Sequence, residues 1–334
     1  MKALGHTTPH LIADFSIKEY DLPKPAQGPL DLLVEVKAVS VNPVDCKVRA
    51  SRVAPDEKTP IILGWDASGV VVAIGPSVSG FKIGDEVYYS GELLRSGSNA
   101  EFQAVDHRIV ALKPKRLSFA EAAAMPLTTI TAYEALIENR ALNLSESSTV
   151  LIIGGAGGVG SMAIQILKTL TKAKVIATAS RQKTVEWCKN LGADYVIDHS
   201  NDLKTELKNI NINEVDVVFS TTHSSDYIPM LNEIIKPFGN FILIDDPKEL
   251  NIAHFKQKSI ATSWEFMFTK SMFAHHPEEQ GKLLKEIATL VDAGLIKTTL
   301  RETYIGMTIE NLKKAHETLE ASKSFGKIVL TYER

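Results

Sequence analysis

Leu151-Ile152-Ile153-Gly154-Gly155-Ala156-Gly157-Gly158-Val159-Gly160 joins an apolar run to a glycine-rich turn, and helical apolar spacing follows it. Glycines 155, 157 and 160 form a GxGxxG pattern, in which glycine permits the tight turn and lets backbone N–H groups approach a pyrophosphate. The segment therefore predicts a dinucleotide-binding βαβ unit. The predicted cofactor contacts in the loop are Gly155, Ala156, Gly157, Gly158, Val159 and Gly160.

Strand and helix patterns alternate from this loop to residue 245. The predicted strands are 149–153, 174–179, 194–197, 215–219 and 240–244. The predicted helices are 158–171, 181–190, 202–209 and 227–236. Such alternation is typical of a parallel sheet with helices on both faces, so we expect an α/β doubly wound domain.

Residues 30–110 have a different pattern, which predicts a β-rich segment. Short apolar runs at 32–39, 69–74 and 85–89 are separated by glycine, proline and serine turns, which favours an antiparallel β-barrel. Ser118 and Glu121 then match a helix capping box and open an alanine-rich helical run. After residue 270 the sequence predicts a helix at 277–293, another opened by Thr308, and a closing strand at 327–330.

The end of the second predicted strand indicates which dinucleotide is bound. NAD-binding domains of this type have an acidic side chain there, which accepts a hydrogen bond from the ribose 2′-hydroxyl. This sequence instead has Ser180, Arg181 and Lys183. A hydroxyl and two cations suit a 2′-phosphate, so we expect NADPH. The alternative is that both cations are solvated charges at a helix start.

Composition excludes several classes of protein. The chain has 334 residues, and 37 Lys and Arg face 40 Asp and Glu, without the basic excess of a nucleic-acid binder. The two cysteines form neither a disulfide framework nor a CxxC metal-binding motif, so we expect the protein to be located in the reducing cytoplasm. The start does not read as a signal peptide, and the longest uncharged stretch is broken by glycines, so we expect no export and no membrane partner.

Beyond these patterns, the chain resembles the medium-chain dehydrogenase/reductase superfamily along its whole length. The resemblance rests on Gly64-Trp65-Asp66-Ala67-Ser68-Gly69-Val70-Val71, on Gly84-Asp85-Glu86-Val87 and on the glycine loop. It implies a Rossmann doubly wound parallel sheet and a GroES-like β-barrel catalytic domain. The implied domains are residues 1–124 together with 271–334 (catalytic) and 125–270 (NADP-binding).

The resemblance also locates the zinc ligands of the zinc alcohol dehydrogenases. Their G-H-E-x-x-G-x-V stretch carries a ligand histidine at the position of Trp65, and two ligand cysteines match Asn42 and Leu127. Trp and Leu cannot bind zinc, and the four closely spaced cysteines of the structural zinc are missing. We therefore expect no metal.

The remaining motifs are similar to those of the zinc-independent quinone and enone reductases, including the zinc-type alcohol dehydrogenase-like subgroup. They are Asn42-Pro43-Val44-Asp45, Leu191 to His199, and Gly326-Lys327-Ile328-Val329-Leu330. This resemblance implies cofactor contacts at Thr131, Ser180, Arg181, Lys183, His199, Ile244 and Lys327.

Without a Lewis acid, an activated electrophile is the easiest substrate to reduce. A quinone or an α,β-unsaturated carbonyl takes the incoming charge onto its oxygen, so a hydrogen-bond donor suffices. The matching segment in relatives makes Asn42 and Lys47 candidate contacts to that oxygen. The alternatives are that Asn42 is a turn residue and Lys47 a solvated charge. Trp65 and Phe268 are candidates for the substrate pocket or simply core residues.

Three further expectations follow. One alternative to the NADPH-dependent reductase is a non-catalytic NADPH-binding sensor, which would bind cofactor without turnover. Another is a zinc-dependent alcohol dehydrogenase, which metal analysis would reveal. Analogy with relatives also implies a homodimer through an edge strand at Ile260 to Phe268.

Overall fold

The protein divides into two compact units in a computed structural model that describes residues 1–138, 142–322 and 324–332. The first unit comprises residues 1–127 and 268–334, and the second comprises residues 128–267. These limits lie within three residues of the predicted domain limits, which stay a prediction. The predicted ranges also include residues 139–141, 323, 333 and 334, which lie outside the described residues.

Strands dominate residues 1–112, and helices become frequent in the rest of the chain. The strands are β1 Lys2–His6, β2 Lys18–Asp21, β3 Asp31–Ser40, β4 Ile61–Ile62, β5 Asp66–Ile74, β6 Glu86–Ser90, β7 Phe102–Asp106, β8 Val110–Leu112, β9 Thr149–Ile153, β10 Lys174–Thr178, β11 Tyr195–Ile197, β12 Val215–Ser220, β13 Ile235–Leu243, β14 Ala261–Trp264, β15 Leu300–Ile305 and β16 Lys327–Thr331. The α-helices are α1 Pro43–Ser51, α2 Phe119–Ala123, α3 Pro126–Tyr133, α4 Gly158–Leu170, α5 Gln182–Asn190, α6 Leu203–Asn209, α7 Ser224–Ile234, α8 Thr269–Met272, α9 Glu278–Asp292 and α10 Ile309–Glu320.

The second unit is built on a parallel sheet with the strand order β11-β10-β9-β12-β13-β14. This order confirms the predicted α/β doubly wound fold. All five residues of β9 are buried, because the strand is central and covered on both faces. The strand order reverses between β9 and β12, because β10 and β11 lie on one side of β9 and β12 to β14 on the other. In such sheets ligands bind outside the carboxyl ends of the strands at that switch point.

The first unit contains a sheet with the order β15-β16-β3-β5-β6-β8, in which β7 also pairs with β3. All of its pairs are antiparallel except β15 with β16. The long strand β3 pairs with β5 along one edge and with β16 and β7 in succession along the other. The β-rich character predicted for residues 30–110 is confirmed.

The capping box predicted at the start of the helical run is present. The Glu121 N–H donates to Ser118 Oγ (3.2 Å), and the Ser118 N–H donates to the Glu121 carboxylate (2.9 Å). The resulting helix α2 is short, because Pro126 starts a separate helix, α3.

The strand expected over Ile260 to Phe268 is too long, and the prediction is wrong beyond Trp264. β14 ends at Trp264, where its pairing with β13 stops at Leu243. Phe268 instead belongs to the first unit, and its side chain is buried. The apolar run therefore combines a short edge strand of the second unit with one core residue of the first unit, Phe268.

Candidate active site

The glycine loop follows β9 at the carboxyl edge of the second unit's sheet. Gly154 adopts a left-handed backbone (φ +80°), which favours glycine, and a Cβ there would lie 2.3 Å from Thr221 Oγ1. The Gly154 N–H donates to Thr178 Oγ1 (3.0 Å), and the Gly155 N–H donates to Thr178 O (3.2 Å). Thr178, the last residue of the neighbouring strand β10, therefore fixes the position of the loop through two hydrogen bonds.

Gly160 lets helix α4 pack against the start of the loop. A Cβ at this position would lie 2.3 Å from Gly154 O and 2.8 Å from Gly155 Cα. α4 begins at Gly158, and the exposed Gly157 precedes it. The N-terminus of this thirteen-residue helix therefore lies at the switch point. Such a terminus favours the anionic phosphates of a dinucleotide.

Replacing Gly160 by alanine is expected to lower the free energy of unfolding by about 1–3 kcal/mol, because the added methyl overpacks backbone atoms that cannot move aside. Dinucleotide binding should weaken with it, since the loop would have to shift. Gly157→Ala is the matched control for stability, because its Cβ would lie 3.3 Å from the nearest atom outside its immediate chain neighbours, Gly154 O. Thermal unfolding compares the two variants, fluorescence titration measures dinucleotide binding by Gly160→Ala, and equal losses of stability would contradict the prediction.

The residues predicted to hold the adenosine phosphate lie at the ends of adjacent strands. Ser180 follows β10 and His199 follows β11, with 3.4 Å between Ser180 Oγ and His199 Nε2. Arg181 precedes α5 and Lys183 lies in its first turn, and both are exposed. The structure thus brings together a hydroxyl, an imidazole and two cations beside the glycine loop, and their cofactor contacts stay predictions.

The other predicted cofactor residues are more scattered. Ile244 follows β13, and its N–H donates to Ser220 O (3.3 Å), so it shares the carboxyl edge with the loop. Thr131 is buried in helix α3 and is not at a strand end. Lys327 begins β16 in the first unit, where it belongs to a buried polar cluster.

A buried polar cluster lies in the first unit, where no sequence pattern had indicated one. The Asp66 carboxylate and the Lys327 ammonium form an ion pair of 3.1 Å, with side chains 0% and 4% exposed. Asp66 also accepts from Asn42 Nδ2 (2.8 Å) and from the Leu127 N–H (2.7 Å). Burial raises the pKa of Asp66 and lowers the pKa of Lys327, and their mutual attraction opposes both shifts.

Asp45 is a second carboxylate of this cluster. It accepts from the Asn42 N–H (2.7 Å) and from the Gly64 N–H (2.8 Å), where Gly64 has a left-handed backbone (φ +101°). Burial raises the pKa of Asp45 to about 7, although both hydrogen bonds favour the carboxylate. Asp45 therefore ties the start of α1 to the residue before Trp65.

The two candidate oxygen contacts occupy different environments. Asn42 caps α1, with Pro43 at the first helical position, and its side chain is buried. Both amide hydrogens are used, one on Asp66 and one on Ser40 O (3.2 Å), which argues against the predicted contact between Asn42 and a substrate oxygen. Lys47 is exposed on α1, and its predicted role stays a prediction.

Lys327 is likewise fully engaged within the first unit. Its ammonium donates to Val41 O (2.9 Å), Asn42 Oδ1 and Asp66 Oδ2, which accounts for all three hydrogens. No hydrogen is left for a phosphate or ribose. These bonds argue against the cofactor contact predicted for Lys327 and favour a role inside the cluster.

The predicted pocket residues Trp65 and Phe268 are neighbours. Their ring centroids are 6.3 Å apart at 76°, an edge-to-face contact, and both side chains are buried. The Trp65 indole donates to Glu92 O (3.1 Å). This packing has the character of core, and contact of either residue with substrate stays a prediction.

The residues at the three zinc-ligand positions do not fit the metal. Leu127 has no donor side chain, the Trp65 nitrogen already donates to a carbonyl, and the Asn42 oxygen accepts from an ammonium. Among the described residues, no three His, Cys, Asp or Glu side chains are grouped as a metal site needs.

Sequence reasoning missed Asp45, Asp66 and Thr178. A signal was present for Asp45, because Asn42-Pro43-Val44-Asp45 has an N-cap, a proline at N1 and an acid at N3. Asp66 is an acid next to an apolar strand, which indicates a buried partner without identifying it.

Comparison with known proteins defines the family. Residues 28–129 match the alcohol dehydrogenase GroES-like domain, and residues 191–330 match the zinc-binding dehydrogenase family. The zinc-type alcohol dehydrogenase-like protein SAS2087 of Staphylococcus aureus is 40% identical over 99% of both chains. The NADPH-dependent alkenal/one oxidoreductase of Arabidopsis thaliana is 32% identical, covering 90% of this chain and 71% of that protein.

A solved structure agrees with this assignment. The crystal structure of a Rhizobium etli CFN 42 protein, provisionally described as a zinc-dependent alcohol dehydrogenase, is 47% identical with a TM-score of 0.94, covering 99% of this chain and 98% of that one. The chain belongs to the medium-chain dehydrogenase/reductase superfamily and is an oxidoreductase of that group. The predicted combination of a Rossmann sheet with a GroES-like domain is confirmed. In the described part of the chain, every helix is too short or too polar to cross a membrane.

Proposed function

We propose that this protein uses NADPH to reduce α,β-unsaturated carbonyls and quinones, without zinc. The observation that carries the proposal is the arrangement at the carboxyl edge of the parallel sheet, where the glycine loop follows β9, Ser180 and Arg181 follow β10, and His199 follows β11. Relatives that include an NADPH-dependent alkenal/one oxidoreductase support it. The donor set at the zinc positions supports the zinc-independent part.

The chemistry needs little from the protein beyond orientation and a hydrogen bond. When bound, NADPH supplies a hydride. Hydride addition to the β-carbon of an enone moves the C=C electron pair toward the carbonyl, and the resulting enolate takes a proton from water. The protein stabilises the developing oxyanion with a donor, and the exposed Lys47 ammonium is our candidate, because the Asn42 amide hydrogens are already bonded.

The double variant Arg181→Ala/Lys183→Ala is expected to lower kcat/KM for NADPH by about 10- to 100-fold, since charge-assisted bonds to a phosphate contribute about 1.5–3 kcal/mol. The NADH value should stay unchanged, because NADH has no 2′-phosphate. The control is Lys189→Ala, which removes an exposed charge from the last turn of the same helix. A parallel loss with both cofactors would contradict the assignment.

The function itself is tested with purified protein and a panel of quinones, enones, alkenals and saturated aldehydes. We expect NADPH oxidation with the conjugated acceptors and little with saturated aldehydes. Chelator treatment should leave the rate unchanged, and metal analysis should find zinc far below one ion per chain. A rate that disappears with chelator and returns with zinc would favour a zinc enzyme, and cofactor binding without turnover would favour a sensor.

Assembly and location are also proposals. β14 ends the strand order of its sheet and carries Trp264, which is 57% exposed, so we propose that a second copy pairs along this edge. A monomeric mass in solution would contradict the dimer. Both cysteines, Cys46 and Cys188, are buried thiols, which suits the proposed cytoplasmic location.

A further inference from the structure

The Asp66–Lys327 pair is unusual in being completely enclosed. Removing two charges from water costs about as much free energy as their attraction in the interior provides. A buried ion pair therefore contributes little to the stability of the fold. An apolar pair of the same volume would serve stability as well. Stability therefore does not explain why a charged pair occupies this position in the fold.

The pair joins segments that are distant in the chain. Asp66 begins β5, Lys327 begins β16, and the Leu127 N–H in the first turn of α3 donates to the Asp66 carboxylate. Between them the two charged groups bind Val41 O and both ends of the Asn42 side-chain amide. The turn before α1 is thus held from β5 and from β16 at once.

Asp45 completes the restraint from the other side of the same turn. It accepts from the Asn42 backbone N–H and from the Gly64 N–H, so both the backbone and the side chain of Asn42 are fixed. This turn sets where α1 begins and how it is directed. Lys47, the candidate oxyanion donor, lies one turn into that helix.

We propose that Lys327 is a positioning residue of the reductase: with Asp66 it fixes the Asn42 turn and thereby the placement of Lys47. The inference rests on the proposed function and assigns Lys327 a role other than the cofactor contact that the sequence predicted. Misplacing a reacting group by about 1 Å costs about 100-fold in rate, whereas the glycine loop and the residues after β10 and β11 lie on other elements than this turn.

The first experiment compares Lys327→Met with Lys113→Met in the full-length protein. Lys113 is the matched control, since its side chain is 5% exposed and its ammonium binds Glu86, Pro114 O and Leu117 O outside the cluster. We expect Lys327→Met to lower kcat with an enone by about 10- to 100-fold and to leave the NADPH dissociation constant unchanged. Lys113→Met should resemble the wild type. A weakened NADPH affinity with kcat retained would overturn the proposal.

A second variant keeps the proposal testable if Lys327→Met does not fold, as circular dichroism would show. Asp66→Asn/Lys327→Met removes both charges with groups of similar shape and should recover the fold. Its kcat should stay low, because the Asn42 oxygen still lacks its ammonium. Wild-type kcat in the double variant would overturn the positioning role.

Amide hydrogen exchange separates this inference from the proposed function. Loss of Lys327 should accelerate exchange at the Asn42 and Leu127 amides relative to the Lys113→Met control. This readout needs no turnover, so it applies even if the wild type reduces none of the acceptors, in which case only the proposed function fails. Equal exchange in the two variants would overturn the positioning role.

Discussion

Replacing Arg49 by methionine lowers the free energy of unfolding by about 3 kcal/mol in our expectation. Arg49 is 1% exposed, and its guanidinium donates to His316 Nδ1 (2.8 Å), His10 O (3.2 Å) and the Glu320 carboxylate. Removing one partner of a buried pair costs about 3–5 kcal/mol, and the lower end applies because Glu320 remains 32% exposed.

Arg108→Met is the control for this measurement. Arg108 pairs with Asp106 at 2.6 Å, but its side chain is 36% exposed, so the loss should be about 1 kcal/mol or less. Urea unfolding of both variants gives the comparison. Equal losses would show that burial of the Arg49 network does not govern its contribution.

Acid is expected to destabilise the protein through His316. Burial, with the Arg49 charge beside it, lowers the pKa of His316 to about 3 from an ordinary 6.5. The unfolded chain therefore binds a proton more readily than the folded one, so the stabilisation is complete above pH 6.5 and is lost as pH falls toward 3. By linkage this group alone costs about 2 kcal/mol at pH 5.

His316→Asn isolates that effect, because the asparagine oxygen can accept from Arg49 in place of Nδ1 and does not titrate. The difference in unfolding free energy between wild type and variant should change by about 2 kcal/mol between pH 8 and pH 5. Asp45, whose raised pKa makes stability fall as pH rises toward 7, is present in both proteins and cancels. A difference independent of pH would contradict the assignment.

The local features of the nucleotide unit were predictable because local backbone geometry requires them. The strand predicted at 149–153 is confirmed residue for residue as β9, and the helix predicted at 158–171 is α4, Gly158–Leu170. Gly160, a member of the predicted GxGxxG pattern, is needed for close packing of helix against loop. The left-handed backbone of Gly154, which lies outside that pattern, became evident only in the structure.

Other features were missed because their cause lies elsewhere in the chain. The pattern did not predict α1, a nine-residue helix whose cap is completed by Asp45 and whose start is held by Asp66 and Lys327. β14 ends at Trp264, where its pairing with β13 stops, and Phe268 packs against Trp65 in the core of the first unit.

Periodicity and glycine spacing were enough to indicate the fold class and the dinucleotide loop, and the resemblance of short motifs indicated the superfamily, since each depends on residues close in sequence. The polar cluster required the folded chain. Asp66 and Lys327 are 261 residues apart, and only folding removes both from water and brings Asn42 between them. Burial and long-range contacts are not encoded in any local pattern. For this reason the sequence suggested a cofactor contact for Lys327, whereas the structure shows its ammonium paired with the buried Asp66 carboxylate.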